Sequence, residues 1–259
     1  MSMGFKVVIP ARYASTRLPG KPLRELAGSP MLQHVHDCAR HSGAEEIVVA
    51  TDDPRIETAA AAFGAHVCMT SAEHTSGTER LSEVVERLGW QQDEIVVNLQ
   101  GDEPMMPPVL IRQVADNLAA HENAAIATLA SRITDSGQMT DPNVVKVVRD
   151  RAGYALYFSR APIPWQRDSE AVQHKDREGG DALHHIGMYA YRAGFLQRFK
   201  QLELSPLEVC EKLEQLRALW HGLKIHVDIA TAAPGPGVDT EADLLRVERL
   251  LQEKSRHPT

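Results

Sequence analysis

Short apolar runs rich in β-branched residues recur through the first half of the chain, at 6–9, 46–50, 66–69, 94–99 and 125–129, and predict strands. Between them, apolar residues return every three or four positions over 30–42, 54–64, 78–89 and 107–121, the period of an amphipathic helix. Alternation of this kind predicts an α/β fold: a parallel sheet with helices on both faces. The boundary residues agree. Asp53 followed by Pro54 supplies a cap and a proline at the first helical position, and Gly43, Gly64 and Gly89 each follow an apolar helical run.

Beyond about residue 135 the alternation is lost. Residues 143–148, 154–158 and 185–191 read as strands, with a polar stretch at 166–181 that predicts a mobile surface loop. Ser205-Pro-Leu-Glu208 has the spelling of a capping box and predicts a long helix reaching about Trp220. Thr240-Glu-Ala-Asp243 opens the last helix in the same way, with Asp in place of the usual Glu, and residues 255–259 are expected to fray.

A chain of 259 residues, 43% of them hydrophobic, buries a full core and suits one large α/β domain or a domain with a modest lobe. It contains no repeat and no Pro/Gly linker long enough to divide it. With 28 Lys+Arg against 35 Asp+Glu the net charge is −7, which argues against a general nucleic-acid binder. Cys38, Cys68 and Cys210 are odd in number and widely spaced, so neither a disulfide framework nor a zinc knuckle is expected. Cys38 lies on an apolar helical face and reads as a small buried thiol. The apolar run at 5–11 is too short for a signal peptide and no later segment approaches a membrane span. A cytoplasmic protein is expected.

Against the acidic background, Arg12, Arg17 and Lys21 stand together in the loop after the first strand. Ligands of parallel α/β sheets gather beyond the carboxyl ends of the strands. Two guanidinium forks and an ammonium there suit the oxygens of a polyphosphate, although three cations also suit a plain solvated loop. The spelling excludes a P-loop, because Ser15 and Pro22 stand where glycine and Ser or Thr are needed, and it excludes the G-x-G-x-x-G dinucleotide fingerprint.

Asp102, in Gln100-Gly-Asp-Glu-Pro104, follows an apolar strand and is expected on the same rim. Asp239 stands at a Pro/Gly-rich turn before the last helix, where it reads equally as part of a helix cap. One carboxylate from each is the donor set that magnesium takes when its remaining ligands are water and phosphate oxygens.

An ordered series of segments extends this reading: Ile9-Pro-Ala-Arg-Tyr-Ala-Ser-Thr-Arg-Leu-Pro-Gly-Lys-Pro22, Ala50-Thr-Asp52, Ser76-Gly-Thr-Glu-Arg80, Val97-Asn-Leu-Gln-Gly-Asp-Glu-Pro104, Tyr157-Phe-Ser-Arg160, Leu213-Glu-Gln-Leu-Arg217 and Gly237-Val-Asp-Thr240. Together they resemble the 3-deoxy-manno-octulosonate (Kdo) cytidylyltransferases over nearly the whole chain. The resemblance implies a Rossmann-like nucleotidyltransferase fold with a smaller sugar-binding and dimerisation lobe. Its nucleotide-binding half would be 4–135, its sugar-binding and dimerisation part 136–235, and its metal turn and C-terminal helix 236–254. It implies CTP plus Kdo giving CMP-Kdo and pyrophosphate with Mg2+, in a homodimer with no nucleic-acid or membrane partner.

By the same resemblance, Arg12 and Lys21 meet the CTP phosphates and Asp102 with Asp239 hold the metal. Ala11, Arg17, Thr51, Ser76, Gly77, Arg80 and Gln100 match positions around CTP, and Arg160, His185, Tyr189, Glu214 and Gln215 match positions near the sugar acid. Read without the resemblance, His185 is an ordinary hydrogen-bonded histidine and Glu214 a solvated helical charge. The chain departs from the family's pattern at Thr75, at 209–212 and at Pro236. A cytidylyltransferase for 8-amino-Kdo or a sialic acid, and a catalytically silent nucleotide-binding protein, are the alternatives.

Overall fold

The computed structural model describes residues 4–14, 18–165, 167 and 182–256. Arg17 and almost all of the predicted loop at 166–181 lie outside the described residues. The strands are β1 (Phe5–Ala11), β2 (Glu25–Leu26), β3 (Ser29–Pro30), β4 (Glu46–Thr51), β5 (His66–Met69), β6 (Ile95–Asn98), β7 (Ile126–Arg132), β8 (Lys146–Arg149), β9 (Ala155–Ser159), β10 (Leu183–Arg192) and β11 (Ile225–Ile229). The helices are α1 (Met31–Arg40), α2 (Pro54–Ala62), α3 (Gly77–Leu88), α4 (Pro108–Ala120), α5 (Ser136–Thr140), α6 (Ala193–Phe199), α7 (Pro206–Glu211), α8 (Gln215–Trp220) and α9 (Glu241–Arg256).

One sheet carries the fold, in the order β11-β7-β10-β6-β1-β4-β5, with β8 and β9 added beside β10. Pairs β1/β4, β1/β6, β4/β5 and β11/β7 are parallel. The sheet is not wholly parallel, however, because β10 runs antiparallel to both β6 and β7. The chain leaves β1 toward β4 and β5, then returns to place β6 on the other side of β1. That reversal opens a crevice at the carboxyl end of β1, where such sheets bind ligands.

Strand side chains alternate between two cores. Val7, Ile9 and Val97 pack with Leu32, Val35, Leu110 and Val114 of α1 and α4. Val8, Val48 and Val96 pack with Leu81 and Val84 of α3, Leu196 of α6 and Leu216 of α8. A third cluster, Leu18, Leu26, Met31, Val238, Leu244 and Val247, docks α9 and the turn before it onto the segment after β1. Each such side chain contributes about 1.5–3 kcal/mol when fully buried, enough to fix the position of residue 239.

The predicted caps form. Asp53 accepts from the Arg55 N–H at 2.9 Å, and Ser205 from the Glu208 N–H at 3.0 Å. Thr240 and Asp243 cap each other, Oγ1 of Thr240 accepting from the Asp243 N–H at 3.2 Å and Oδ2 of Asp243 from the Thr240 N–H at 3.0 Å. α9 continues to Arg256, beyond the onset of fraying expected at 255. Cys38 is half-buried, its Sγ 3.5 Å from the Pro104 carbonyl, and burial pushes its thiol up to about 11.

The single helix expected from Ser205 to Trp220 is instead two. Lys212 takes a left-handed conformation with φ 55°, closing α7, and the chain restarts as α8. The side chain of Glu208, expected to complete the capping box, turns to Arg217 instead, making two hydrogen bonds of 2.8 and 2.6 Å in a buried pair. The break brings that pair together and directs Glu214 toward α3. Residues 225–229 and 193–199 form a strand and a helix that the sequence pattern did not single out.

Removing one member of a buried ion pair strands the other. Arg217→Met is expected to lower unfolding free energy by about 3–5 kcal/mol in urea denaturation, and the double change Glu208→Leu/Arg217→Met by less than half of that. Equal losses in the two variants would show that the pair does not hold the break.

Candidate active site

β1 ends in Ala11, and the turn after β6 returns against it so closely that a Cβ at Gly101 would lie 2.9 Å from the Pro10 carbonyl oxygen. Only glycine fits that approach without backbone movement. The contact brings residues 100–102 beside the basic loop. Their cleft, about 320 Å³, is lined by Pro10, Ala11, Arg12, Ala14, Lys21, Pro22, Gln100, Gly101, Asp102 and Asp239.

Lys21 opens a short 3₁₀ turn, Lys21–Leu23, and its ammonium lies at the centre of the cleft. It donates to Oδ2 of Asp102 at 2.7 Å, to Oδ1 of Asp239 at 3.1 Å and to the Val238 carbonyl at 2.9 Å. An ammonium has three donors, so all are engaged. Burial pulls the Lys21 pKa down, but Asp102 and Asp239 outweigh it and hold the pKa above its usual value. The Val238 N–H donates to the Asp102 carbonyl at 2.9 Å, stitching the two acidic segments together. Asp239 therefore faces the cleft, while Asp243 performs the capping.

Next to them Glu103 is half-buried, and burial with the neighbouring charges of Asp102 and Asp239 pushes its carboxyl up to about 8 despite Lys21. Two carboxylates face this one ammonium, and the pair Asp102/Asp239 offers hard oxygen donors that are part-exposed, 34% and 49% at the side chain. That donor set fits a magnesium ion completing its shell with water and phosphate, which takes one or two carboxylates. Among the described residues no group of three or more His, Cys, Asp or Glu forms a complete protein cage.

Of the other residues expected around CTP, Ala11 and Gln100 line this cleft and Gly77 lies beside its Pro10. Ser76 caps α3, accepting from the Glu79 N–H at 3.2 Å, and a Cβ on Gly77 would be 3.6 Å from Pro10. Arg80 is wholly buried, with Nη2 3.3 Å from Asp52 and Nη1 donating to the Thr70 hydroxyl. Its Nε and Nη2 have no hydrogen-bond acceptor among the described residues. Burial draws its pKa down against the pull of Asp52. Thr51 is also wholly buried, and its hydroxyl accepts from the Asp53 N–H at 3.2 Å, so its contribution is to the rim of β4. Arg12 has no ion pair among the described residues and faces the cleft.

Of the residues expected near the sugar acid, His185 and Tyr189 lie side by side on β10. His185 is buried, its Nε2 3.0 Å from the Thr128 hydroxyl and its ring 5.2 Å from that of Tyr189. Burial pushes its pKa down to about 3, so the imidazole is neutral at physiological pH. Glu214 is no solvated helical charge: Oε2 accepts from the Thr78 hydroxyl at 2.7 Å, and burial holds its pKa above the ordinary value. Its Oε1, Nε2 of Gln215 and Oδ1 of Asn98 are buried without a hydrogen-bond partner among the described residues. Arg160 donates from Nε to the Glu211 carbonyl and from Nη1 to the Pro142 carbonyl, both at 2.8 Å.

Thr78 and Asn98 lie among these residues and were not singled out from the sequence, and Glu103, which reads from the sequence as a turn residue with no catalytic role, lies beside Asp102 and Asp239. Thr78 lies one residue from Gly77 and is hydrogen-bonded to Glu214. The signal for Asn98 was an amide inside the apolar run at 95–99; Thr78 and Glu103 stood within quoted segments but beside more conspicuous neighbours.

A family model described as cytidylyltransferase matches residues 6–225. The chain is 57% identical over 249 residues to the 3-deoxy-manno-octulosonate cytidylyltransferase of Idiomarina loihiensis, covering 96% of this chain and 98% of that protein. It is 58% identical over 255 residues to the enzyme of the same name from Alkalilimnicola ehrlichii, covering 98% of each. A solved structure of CMP:2-keto-3-deoxy-manno-octonic acid synthetase complexed with CTP superposes with a TM-score of 0.88 at 43% identity, over 97% of this chain and 100% of that one. No helix among the described residues is long and apolar enough to cross a membrane. The chain belongs to the cytidylyltransferase family and, within it, to the 3-deoxy-manno-octulosonate cytidylyltransferases.

Proposed function

We propose that the protein transfers CMP from CTP to the anomeric hydroxyl of Kdo, releasing pyrophosphate. The observation that carries this reading is the cleft itself: one ammonium bridging two carboxylates, with Arg12 beside it, in a chain of this family. The reaction needs the incoming hydroxyl aligned with the α-phosphorus and negative charge balanced on the reacting and leaving phosphates. Arg12 and Lys21 supply positive charge to the phosphates, with Arg17 in the same loop. Ser76, Gly77 and Arg80, with the rim residues Ala11, Thr51 and Gln100, bound the nucleotide. Nε of Arg80, which has no acceptor among the described residues, is a donor left over from the ion pair with Asp52.

Asp102 and Asp239 would hold magnesium, which when bound neutralises phosphate charge and polarises the phosphoryl group. Lys21 already has three acceptors, so for it to meet a phosphate oxygen one of them must give way. Arg160, His185, Tyr189, Glu214 and Gln215 orient the sugar acid, His185 as a neutral group. Positioning and electrostatics suffice, without a covalent enzyme intermediate. Three free thiols suit work in a reducing cytoplasm.

A homodimer is part of the proposal. Leu156 on β9 and Trp165 shortly after it are 63% and 79% exposed, large apolar side chains of the kind a two-fold partner covers. Light scattering at micromolar concentration is expected to give twice the 28.6 kDa chain mass, and a single-chain mass would contradict the dimer.

Pyrophosphate release with CTP and magnesium, compared for Kdo, 8-amino-Kdo and a sialic acid, tests the activity directly. Kdo is expected to be preferred; preference for another acid would reassign the sugar pocket, and no release with any would overturn the reading. Asp102→Asn and Asp239→Asn are each expected to lower turnover at least ~100-fold while leaving the circular-dichroism melt close to that of the parent. Near-parental turnover in both would contradict the metal assignment.

A further inference from the structure

β9 ends at Ser159, and the chain just beyond it is gripped by one side chain from another element. Glu211, the last residue of α7, accepts from the Ser159 hydroxyl at 2.6 Å through Oε1 and from the Arg160 N–H at 3.0 Å through Oε2. Its own carbonyl, one of those a helix C-terminus leaves unpaired, accepts from Nε of Arg160 at 2.8 Å. The Ser159 hydroxyl also accepts from the Ala161 N–H at 3.0 Å, so three consecutive residues are tied to one carboxylate. From the other side the buried Lys146 donates to the Arg160 carbonyl at 2.7 Å and to the Asp141 carbonyl at 2.9 Å.

A guanidinium has five N–H donors in a fixed plane. Arg160 uses Nε on the Glu211 carbonyl and one Nη1 donor on the Pro142 carbonyl, so its plane is held at two donors, and its Nη2 has no partner among the described residues. A guanidinium held at Nε and Nη1 with Nη2 open suits charge-assisted contact with a carboxylate. A flexible arginine would lose more side-chain entropy on making that contact. The clamp on the main chain at 159–161 therefore bears on recognition, because a shift of the backbone there swings the guanidinium.

We infer that Glu211 is a positioning residue for the sugar acid, setting the main chain at Ser159 and Arg160 so that Nη2 of the Arg160 guanidinium meets the substrate carboxylate. The inference rests on the reading that Arg160 faces the sugar acid. It assigns to α7 a role in substrate selection separate from the buried pair that its Glu208 makes with Arg217 of α8.

The test is steady-state kinetics of pyrophosphate release, with KM for Kdo and KM for CTP measured separately. Glu211→Ala is expected to raise KM for Kdo ~10-fold while KM for CTP stays within ~2-fold, the scale of losing one or two charge-assisted hydrogen bonds. Glu211→Gln should recover most of this, since its amide oxygen accepts from the Arg160 N–H and its NH2 donates to Ser159. Arg160→Ala should raise KM for Kdo at least as much, and the double variant no further than Arg160→Ala alone. Unchanged KM for Kdo in Glu211→Ala, an equal rise for both substrates, or additive effects in the double variant would overturn the role of Glu211. Unchanged KM for Kdo in Arg160→Ala would instead overturn the underlying placement of Arg160. If Glu211→Ala does not fold, Ser159→Ala decides: a ~3-fold rise in KM for Kdo supports the clamp and an unchanged value overturns it.

Discussion

The ammonium of Lys21 joins three segments that are remote in sequence, its carboxylate partners lying 81 and 218 positions away along the chain. Each segment is brought there by a different feature of the fold: the loop by β1, residue 102 by the turn after β6, residue 239 by the docking of α9. Two carboxylates this close repel each other unless a cation lies between them. The lysine provides that cation in the resting protein, and the same charge arrangement provides the proposed chemistry. In the proposed reaction the two carboxylates held by this ammonium exchange partners when phosphates and a divalent cation arrive.

The sheet explains why the exchange happens at this place. β1 has β4 on one side and β6 on the other, both parallel to it, so the reversal of strand order falls at its carboxyl end. The antiparallel β10 then carries Tyr189 opposite Asn98 of β6. Thr78 completes the path, since its hydroxyl connects the start of α3, at the rim of the cleft, to Glu214 in the break between α7 and α8. The residues that the proposal assigns to the nucleotide and to the sugar thus share one part-buried hydrogen bond.

The first half of this fold was legible in the sequence because its central strands are buried on both faces and read as continuous β-branched runs, and because Asp53, Gly64 and Gly89 punctuate the helices. The direction of β10 was not legible, since strand direction depends on the connection before it and not on its own composition. The break after α7 was hidden for a related reason: Lys212 adopts a positive φ without being Gly or Asn, the residues that usually announce it. Of the site, strand-end position brought out Lys21 and Asp102 and a Pro/Gly-rich turn brought out Asp239, while a lone charge on the predicted helix gave no hint that Glu214 turns inward to Thr78. Thr78 and Glu211 owe their importance to partners far along the chain, and local pattern carries no trace of such contacts.

If one ammonium both organises the two carboxylates and serves the phosphates, its removal should abolish the chemistry without unfolding the protein. The most direct measurement is the rate of pyrophosphate release at saturating CTP, Kdo and magnesium in Lys21→Met, beside a thermal melt of the same variant. The account predicts a rate at least ~100-fold below the parent with a folded protein. A folded Lys21→Met protein turning over within a few-fold of the parent would contradict it.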